Sequence, residues 1–542
     1  MTKAGMTELP QEFSGMPATV AQLLSARQRS GDDVFVITAD ERLTFGEADR
    51  RSAALAGAML REGVGKGSRV GILFPNGIGW VVTWLASARI GALTVPLSTF
   101  APGRELARTI RHTDVQYLAM APSFDGQSLS GRLESGLEGL ARSTSELHLA
   151  GAPYLRTIWI DDVDRPSWAC PFPKAGYPEL VSAAEAEVQA SDLLVVVNTS
   201  GATSAPKSIV HTNGSLIRHG CLMASLRQLD AADCIFTAAP LFWVGGLTLV
   251  LLSAMASGAS VALQERFEAG SALDLIEAAP ATQISCWPPA ARAMAEHQSF
   301  AERDLSAIRG GTLVEALPKE IRPENPSASP LLASLGMTET GGPHTAADDP
   351  YALLPPERYG TFGRALPGVE HFIASNEEGK TGERIEGEIM VRGLLVMDGL
   401  YKRERLETFT SDGWYSTGDQ GWFDDEGFLH FTGRASAMIK TSGSNVSPEE
   451  VEATLREVPG VNDAIVLGRA HPVRGEDIAA VVVVRPDSAL DQDLLQAHAR
   501  AELASYKVPR HFRFITENQM PLLPTGKVDR ASLLKLFDDA ST

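Results

Sequence analysis

Short apolar runs alternate with longer helical patterns along the first third of the chain. Val34-Phe-Val-Ile37 and Val70-Gly-Ile-Leu-Phe74 have the length and composition of strands. Residues 80–90 carry a helical pattern that ends near Gly91, and Leu93-Thr-Val-Pro-Leu97 reads as the next strand. This alternation predicts a parallel sheet with crossover helices. Residues 125–190 are Ser- and Gly-rich at first, then Pro-rich, and predict irregular surface structure. The rhythm resumes with the buried-strand pattern Leu193-Leu-Val-Val-Val197 and runs to about residue 340. From about 358 to 432, short strands between Gly turns predict a β-rich subdomain, as in Gly387-Glu-Ile-Met-Val-Arg392 and Gly427-Phe-Leu-His-Phe431. A third pattern begins after Gly433-Arg434: a helix over 448–458, strands at 464–467 and 479–484, and a helix near 491–504. The expected division is therefore 1–434 and 435–542, the second piece being long enough for a small domain of its own. No internal repeat is visible.

Size agrees with this division, since 542 residues exceed what one compact core usually serves. The balance of 44% apolar and 21% charged residues is that of an ordinary globular protein. A net charge of −19 argues against nucleic acid as a partner, because neutralising phosphates needs a basic face. The cysteines, Cys170, Cys221, Cys234 and Cys286, lack metal-ligand spacing and read as reduced cytosolic thiols. No apolar run approaches the ~20 residues needed to span a bilayer. Residues 1–18 contain Glu8 and Glu12 and do not read as a signal peptide. A cytoplasmic protein with no membrane span is expected, as a monomer or a homodimer.

Candidate chemistry starts in the loop Asn198-Thr-Ser-Gly-Ala-Thr-Ser-Ala-Pro-Lys-Ser208, just after the buried strand. Backbone N–H groups and hydroxyls in such a loop can cradle phosphate oxygens, and Lys207 can neutralise their charge. It is not a Walker A loop, because Pro206 precedes the Lys. On its own, such a loop is more often only a connection. Further short motifs follow in order: Pro240-Leu-Phe-Trp-Val-Gly-Gly246, Gly310-Gly-Thr312, Gly336-Met-Thr-Glu-Thr340, Ser416-Thr-Gly-Asp419, Gly433-Arg434, Ser442-Gly-Ser-Asn-Val-Ser-Pro448 and Pro524-Thr-Gly-Lys527.

This ordered series resembles the adenylate-forming superfamily of acyl-CoA synthetases, nonribosomal-peptide adenylation domains and luciferases, over about residues 20–535. The resemblance implies a large N-terminal region of two doubly wound α/β lobes with a small β-barrel, capped by a mobile C-terminal α+β domain. It implies a two-step reaction. A carboxylate attacks the α-phosphate of ATP, and a nucleophile, commonly the CoA thiol, then displaces AMP. Such chemistry needs a cation, a metal and oriented donors. By resemblance Thr199, Ser200, Gly201, Thr203 and Lys207 hold phosphates, and Glu339 holds Mg²⁺, with Thr338 on a phosphate oxygen. Gly310, Gly311, Thr312, Leu335, Gly336 and Met337 border the nucleotide, Asp419 accepts the ribose hydroxyls and Arg434 pairs with ribose or phosphate. Lys527 delivers charge between the carboxylate and the α-phosphate. Trp243, Val244, Gly245 and Gly341 line the acid pocket. Each of these, taken singly, also has an ordinary reading as a turn, core or surface residue.

The series departs from the family pattern at Ala202, Ser204 and Ser208 in the loop, at Trp243 where many relatives have His, at Leu335 where relatives stack an aromatic on adenine, and at Ala437, the family's hinge acid. Ser204 and Ser208 replace glycines that tolerate φ > 0. The leading expectation is an acid–CoA ligase. Alternatives keep the adenylation and change the acceptor to a carrier protein or an amine, or the acid to nitrite for diazotising an aromatic amine. A nucleotide-binding pseudoenzyme is the reading from another class.

Overall fold

The computed structural model describes residues 11–27, 31–174, 176–199, 207–323, 334–347, 358, 360–375, 385–434, 438–485, 488, 490–521 and 528–538. Two sheets carry the N-terminal region. In the seven-stranded sheet, Leu193–Thr199, Leu93–Pro96, Arg69–Leu73, Tyr117–Met120 and Thr157–Ile160 run parallel. Lys207–Thr212 and then Gly399–Leu400 extend it antiparallel at the other edge. The six-stranded sheet is parallel through Gly310–Gly311, Gln283–Ser285, Cys234–Thr237, Ser260–Leu263 and Val34–Ile37, with Arg42–Thr44 antiparallel at its edge. Val34–Ile37 thus pairs with a strand more than 200 residues away, Val36 opposite Val261. Helices Ile78–Arg89 and Asn213–Leu226 are buried almost all round, and one apolar core joins them to strands of both sheets. A helix buried on every side shows no polar stripe, which is how 78–89 reads in the sequence.

The expectation of irregular surface structure over 125–190 is corrected here. The segment supplies helices Leu129–Gly136 and Pro178–Glu187 and the edge strand Thr157–Ile160, whose Ile158, Trp159 and Ile160 are fully buried. Trp168 is also buried, its indole N–H donating to Glu134 at 2.7 Å. A four-residue apolar run between polar, Pro-rich stretches is too short for periodicity to reveal it; its parallel neighbour decides the matter.

The β-rich expectation over 358–432 corresponds to an antiparallel sheet of Val369–Ala374, Gly387–Gly393, Tyr415–Phe423 and Leu429–Arg434. Beneath it runs a chain of buried histidines. His211 and His219 neighbour each other, and His344 Nδ1 shares a hydrogen bond of 2.7 Å with His371 Nε2. Burial lowers all of them: His211, His219 and His371 to about 4, and His344 well below the ordinary imidazole range.

From Ile439 onward the chain builds its own apolar clusters. The long hairpin Val461–His471 with Gly475–Val484 is joined in parallel by His511–Ile515, and helices Pro448–Arg456, Gln492–Glu502 and Arg530–Lys535 accompany it. This portion docks on the helix Gly103–His112. Lys507, only 3% exposed, sits between Glu105 Oε1 at 2.9 Å and Glu450 Oε1 at 3.0 Å, and Glu105 also accepts the Ala504 N–H. Removing one charge from such a buried set leaves the others uncompensated.

Two outcomes follow from these contacts. Lys507→Ala should raise amide hydrogen exchange in Gly103–His112 and Pro448–Arg456, because Glu105 and Glu450 would then face each other; unchanged protection would contradict the docking account. The histidines take up protons in the unfolded chain near pH 6.5, whereas in the native chain His211, His219 and His371 do so only near 4 and His344 is likewise held well below its ordinary range. Native stability is therefore full above 6.5 and is lost as pH falls toward 4, by on the order of 1–2 kcal/mol per histidine at pH 5. Urea melts at pH 7.5 and 5.0 should show this drop, and a His344→Gln/His371→Gln variant should show a smaller one; equal slopes would refute the assignment.

Candidate active site

Three distant segments meet at Lys207. Lys207 opens the strand Lys207–Thr212 and lies opposite Thr199 in the antiparallel ladder. The loop between them carries Ser200, Gly201 and Thr203, with Ala202 and Ser204, and falls outside the described residues. The strand Lys207–Thr212 follows it. Ser208 lies in extended backbone within this strand, and its hydroxyl donates to Asn198 Oδ1 at 2.6 Å. The expected loss of a left-handed glycine at 208 therefore does not arise. Ser208 adds a buried tie between the two strands.

The second segment is a tight reversal. Gly336–Met337 pairs with Gly342–Pro343, and the short helical turn Thr338–Thr340 joins them. Gly341 closes it at φ 71, in the left-handed region that suits glycine. The Thr340 hydroxyl donates to the Gly342 carbonyl at 2.6 Å, and the His211 Nε2–H donates to the Thr338 carbonyl at 2.7 Å. That bond fixes which ring nitrogen of the neutral imidazole carries the proton. Glu339, 7% exposed, is thereby pointed at Lys207, and the two form an ion pair. Tyr415, on the third segment, donates to Glu339 Oε1 at 3.0 Å and accepts from Lys207 Nζ at 2.6 Å. Burial pushes the Glu339 carboxyl up, but the Lys207 charge and these hydrogen bonds outweigh it and hold the group below its ordinary value. Glu339 is therefore a charged carboxylate, unlike the solvated turn acid that a lone Glu usually is.

The strand Tyr415–Phe423 continues to Asp419, 4% exposed, whose N–H is held by the Thr417 hydroxyl at 3.0 Å. The ladder sets Asp419 opposite Arg434, so both candidates for ribose binding come to one sheet position. Lys527 and Ala437 lie outside the described residues.

Lys207, Thr199, Gly336, Met337, Thr338 and Glu339 form one wall of a cavity of about 810 Å³. Another part of the lining is aromatic and apolar: Trp243, Val244 and Gly245 with Cys286 and Trp287. Gly245 begins the wide-wound helical segment Gly245–Leu252, a geometry that recurs beside functional sites. Trp243 meets Trp287 edge-to-face with ring centres 5.5 Å apart, and meets Tyr506 of the C-terminal portion at 6.2 Å. Gly443, Ser444 and Asn445 of the C-terminal portion also line the cavity. At Gly443 φ is +82, and a Cβ would lie 2.2 Å from the Trp287 ring, so only glycine allows this approach. Burial pushes the Cys286 thiol up to about 11, which removes it as a nucleophile at neutral pH.

Other sequence candidates stand behind these walls. Gly310 and Gly311 form the edge strand of the six-stranded sheet, and a Cβ on Gly311 would lie 2.1 Å from the Ile284 carbonyl. Thr312 reaches the cavity only through Cys286, with Oγ1 and Sγ 3.0 Å apart. Leu335 packs into the apolar cluster under the antiparallel sheet, and Gly341 lies against Leu216 and His219. Tyr415, Trp287, Tyr506 and His211 were not picked out from the sequence. Tyr415 directly precedes the quoted Ser416–Asp419 motif, so its place was within reach; the others sit in segments without a turn or motif signal.

Among the described residues, no group of three or more His, Cys, Asp or Glu could hold a metal ion. Beside Lys207, Glu339 is a hard, charged oxygen donor at the cavity wall, which fits Mg²⁺ completed by substrate phosphates and water.

The chain matches the family model for AMP-binding enzymes over residues 24–401 and that for the AMP-binding enzyme C-terminal domain over residues 450–527. It is 28% identical over 527 residues to sulfoacetate–CoA ligase of Cupriavidus necator, covering 95% of this chain and 97% of that protein. It is 29% identical over 509 residues to indoleacetate–CoA ligase of Aromatoleum aromaticum, covering 91% and 94%. Among solved structures, amide bond synthetase McbA of Marinactinospora thermotolerans superposes with a TM-score of 0.74 at 26% identity, over 96% of this chain and 99% of that one. The family matches span most of the chain and lead to one conclusion: the chain belongs to the AMP-binding enzyme family of the adenylate-forming superfamily.

Proposed function

We propose that the protein is an AMP-forming ligase that adenylates a carboxylic acid and transfers the acyl group to CoA. The observation that carries this reading is that the Lys207–Glu339 pair, held by Tyr415, and the Trp243–Trp287 pair line one cavity. A charged wall suits a polyphosphate, and an apolar aromatic wall suits the body of an organic acid. Relatives acting on sulfoacetate and indoleacetate support the ligase class while differing in acid.

In the first step an oxygen of the acid attacks the α-phosphorus and the bond to the pyrophosphate oxygen breaks. Lys207 offsets phosphate charge from the strand end, and Lys527 supplies a second cation at the attacking oxygen. Asp419 accepts the ribose hydroxyls, and Arg434 sits across the ladder from it. Bound Mg²⁺, held by Glu339, would supply further positive charge to the phosphates. In the second step the thiol sulfur attacks the acyl carbon, its proton is lost, and the bond to AMP breaks. Gly443–Asn445 lies where an acceptor entering between the two portions of the chain would pass. We propose that the portion after residue 434 rotates about the Ala437 region to bring Lys527 in for the first step and this loop in for the second.

A second reading gives the acyl group to an amine, on the strength of the likeness to amide bond synthetase McbA. Mass spectrometry of reactions with ATP, Mg²⁺ and a panel of acids, with CoA or with amines, separates the readings: a CoA thioester supports the first, an amide the second, and neither product refutes both. Lys527→Ala should cut pyrophosphate release by roughly 10²-fold or more while sparing the fold; unaltered release would remove Lys527 from the mechanism. Trp243→Ala should change the KM for the acid more than that for ATP, because Trp243 belongs to an aromatic group with Trp287 and Tyr506 rather than to the Lys207–Glu339 pair; equal changes would contradict its place in the acid pocket.

A further inference from the structure

The mouth of the cavity carries cations that the chemistry above does not use. The helix Gly103–His112 brings Arg108 and His112 to it, and the turn after Gly399–Leu400 brings Lys402 and Arg403. The chain carries 19 surplus negative charges, so like-signed positive side chains gathered here run against its average. The backbone holds them in place: the Tyr401 N–H donates to the Ser208 carbonyl at 2.8 Å, next to Lys207. Lys402 then adopts φ 61, a left-handed conformation unusual for a residue with a side chain. Strain of this kind persists where the surroundings enforce it, and it concentrates at ligand sites.

Their commitments differ. Lys402 Nζ lies 2.7 Å from Asp114, so its charge is partly spent. Arg108 only approaches Glu450 at 3.7 Å, and that carboxylate is already held by Lys507 at 3.0 Å. Arg403 is exposed, and its guanidinium has no ion pair or hydrogen bond among the described residues. The acids that share the mouth are engaged elsewhere: Glu105 and Glu450 by Lys507, and Glu449 by the Ser447 hydroxyl at 2.6 Å. Burial and then the charge of Lys402 lower the His112 imidazole, with Arg403 adding to the effect and Asp114 opposing it. That places these groups within electrostatic reach of one another.

We propose that Arg403 and Arg108 form a phosphate-recognition rim that grips the phosphate tail of a substrate projecting from the cavity. This rests on the ligase reading above. Guanidinium groups suit phosphate because their planar fork donates two parallel hydrogen bonds. Two substrates of that reaction carry such a tail. CoA has a 3′-phosphate on its adenosine, and ATP has its β- and γ-phosphates.

The test uses the full chain with Arg403→Ala, Arg108→Ala and both together. KM values are measured for ATP in pyrophosphate release and for CoA, dephospho-CoA and pantetheine in thioester formation. Loss of one charge-assisted contact should raise the relevant KM roughly tenfold, with added salt narrowing the difference. If CoA is the ligand, its KM rises while those of dephospho-CoA and pantetheine hold. If ATP is the ligand, the KM for ATP rises and no thiol is singled out. Unchanged KM values for ATP and all three thiols would overturn the rim. Pyrophosphate release without any thioester in the unsubstituted protein would instead refute the CoA acceptor, and the ATP measurement would still decide the rim.

Discussion

The structure around the cavity depends on one buried ion pair. Lys207 and Glu339 are separated by more than 130 residues and come from different supersecondary units, yet each is the other's counter-charge. A carboxylate this deeply buried is tolerable only when paired and hydrogen-bonded, and here Lys207 and Tyr415 provide both. Removing one partner of such a pair typically costs roughly 3–5 kcal/mol, because the remaining charge stays behind. The strand Lys207–Thr212, the 336–343 reversal and the antiparallel sheet are therefore locked in register by electrostatics as well as by packing. The bond from His211 to the Thr338 carbonyl serves the same end, since it fixes the turn that aims Glu339.

The cavity divides its work by chemistry. Its charged wall comes from strand ends and turns, where backbone and short polar side chains are accessible. Its apolar wall comes from segments that are otherwise core, with Trp243 and Trp287 in edge-to-face contact. The C-terminal portion touches both: Gly443 packs on Trp287, and Tyr506 packs on Trp243. The buried Lys507 link to Glu105 holds this arrangement in place. The aromatic group of Trp243 and Trp287 and the position of the C-terminal portion are thus physically linked through two aromatic contacts and one charge cluster.

Much of this was legible in the sequence, for identifiable reasons. The strands at 34–37, 70–74 and 93–97 and the helix over 80–90 lie within one or two residues of the observed elements, since apolar runs of those lengths have few alternatives. The turn around Glu339 was legible because Gly and Thr mark tight reversals, whereas the same residue types before Asp419 belong to the strand Tyr415–Phe423. The burial of Glu339 was not, because its partner is remote in sequence. Thr157–Ile160 escaped notice because only its neighbour in the sheet makes it a strand. Ser208 looked like a lost glycine, whereas the extended backbone there makes no such demand. The aromatic wall was half visible: Trp243 stood in a motif, but Trp287 became a partner only through folding.

The most direct measurement is the acid-dependent exchange of labelled pyrophosphate into ATP by the unsubstituted protein and by Glu339→Gln, with thermal melts confirming that both are folded. The substitution keeps the shape and removes the charge on which the site is built. The account predicts exchange in the unsubstituted protein and a loss of about 10²-fold or more in the variant. Equal exchange in the two proteins would contradict the central place given to this ion pair.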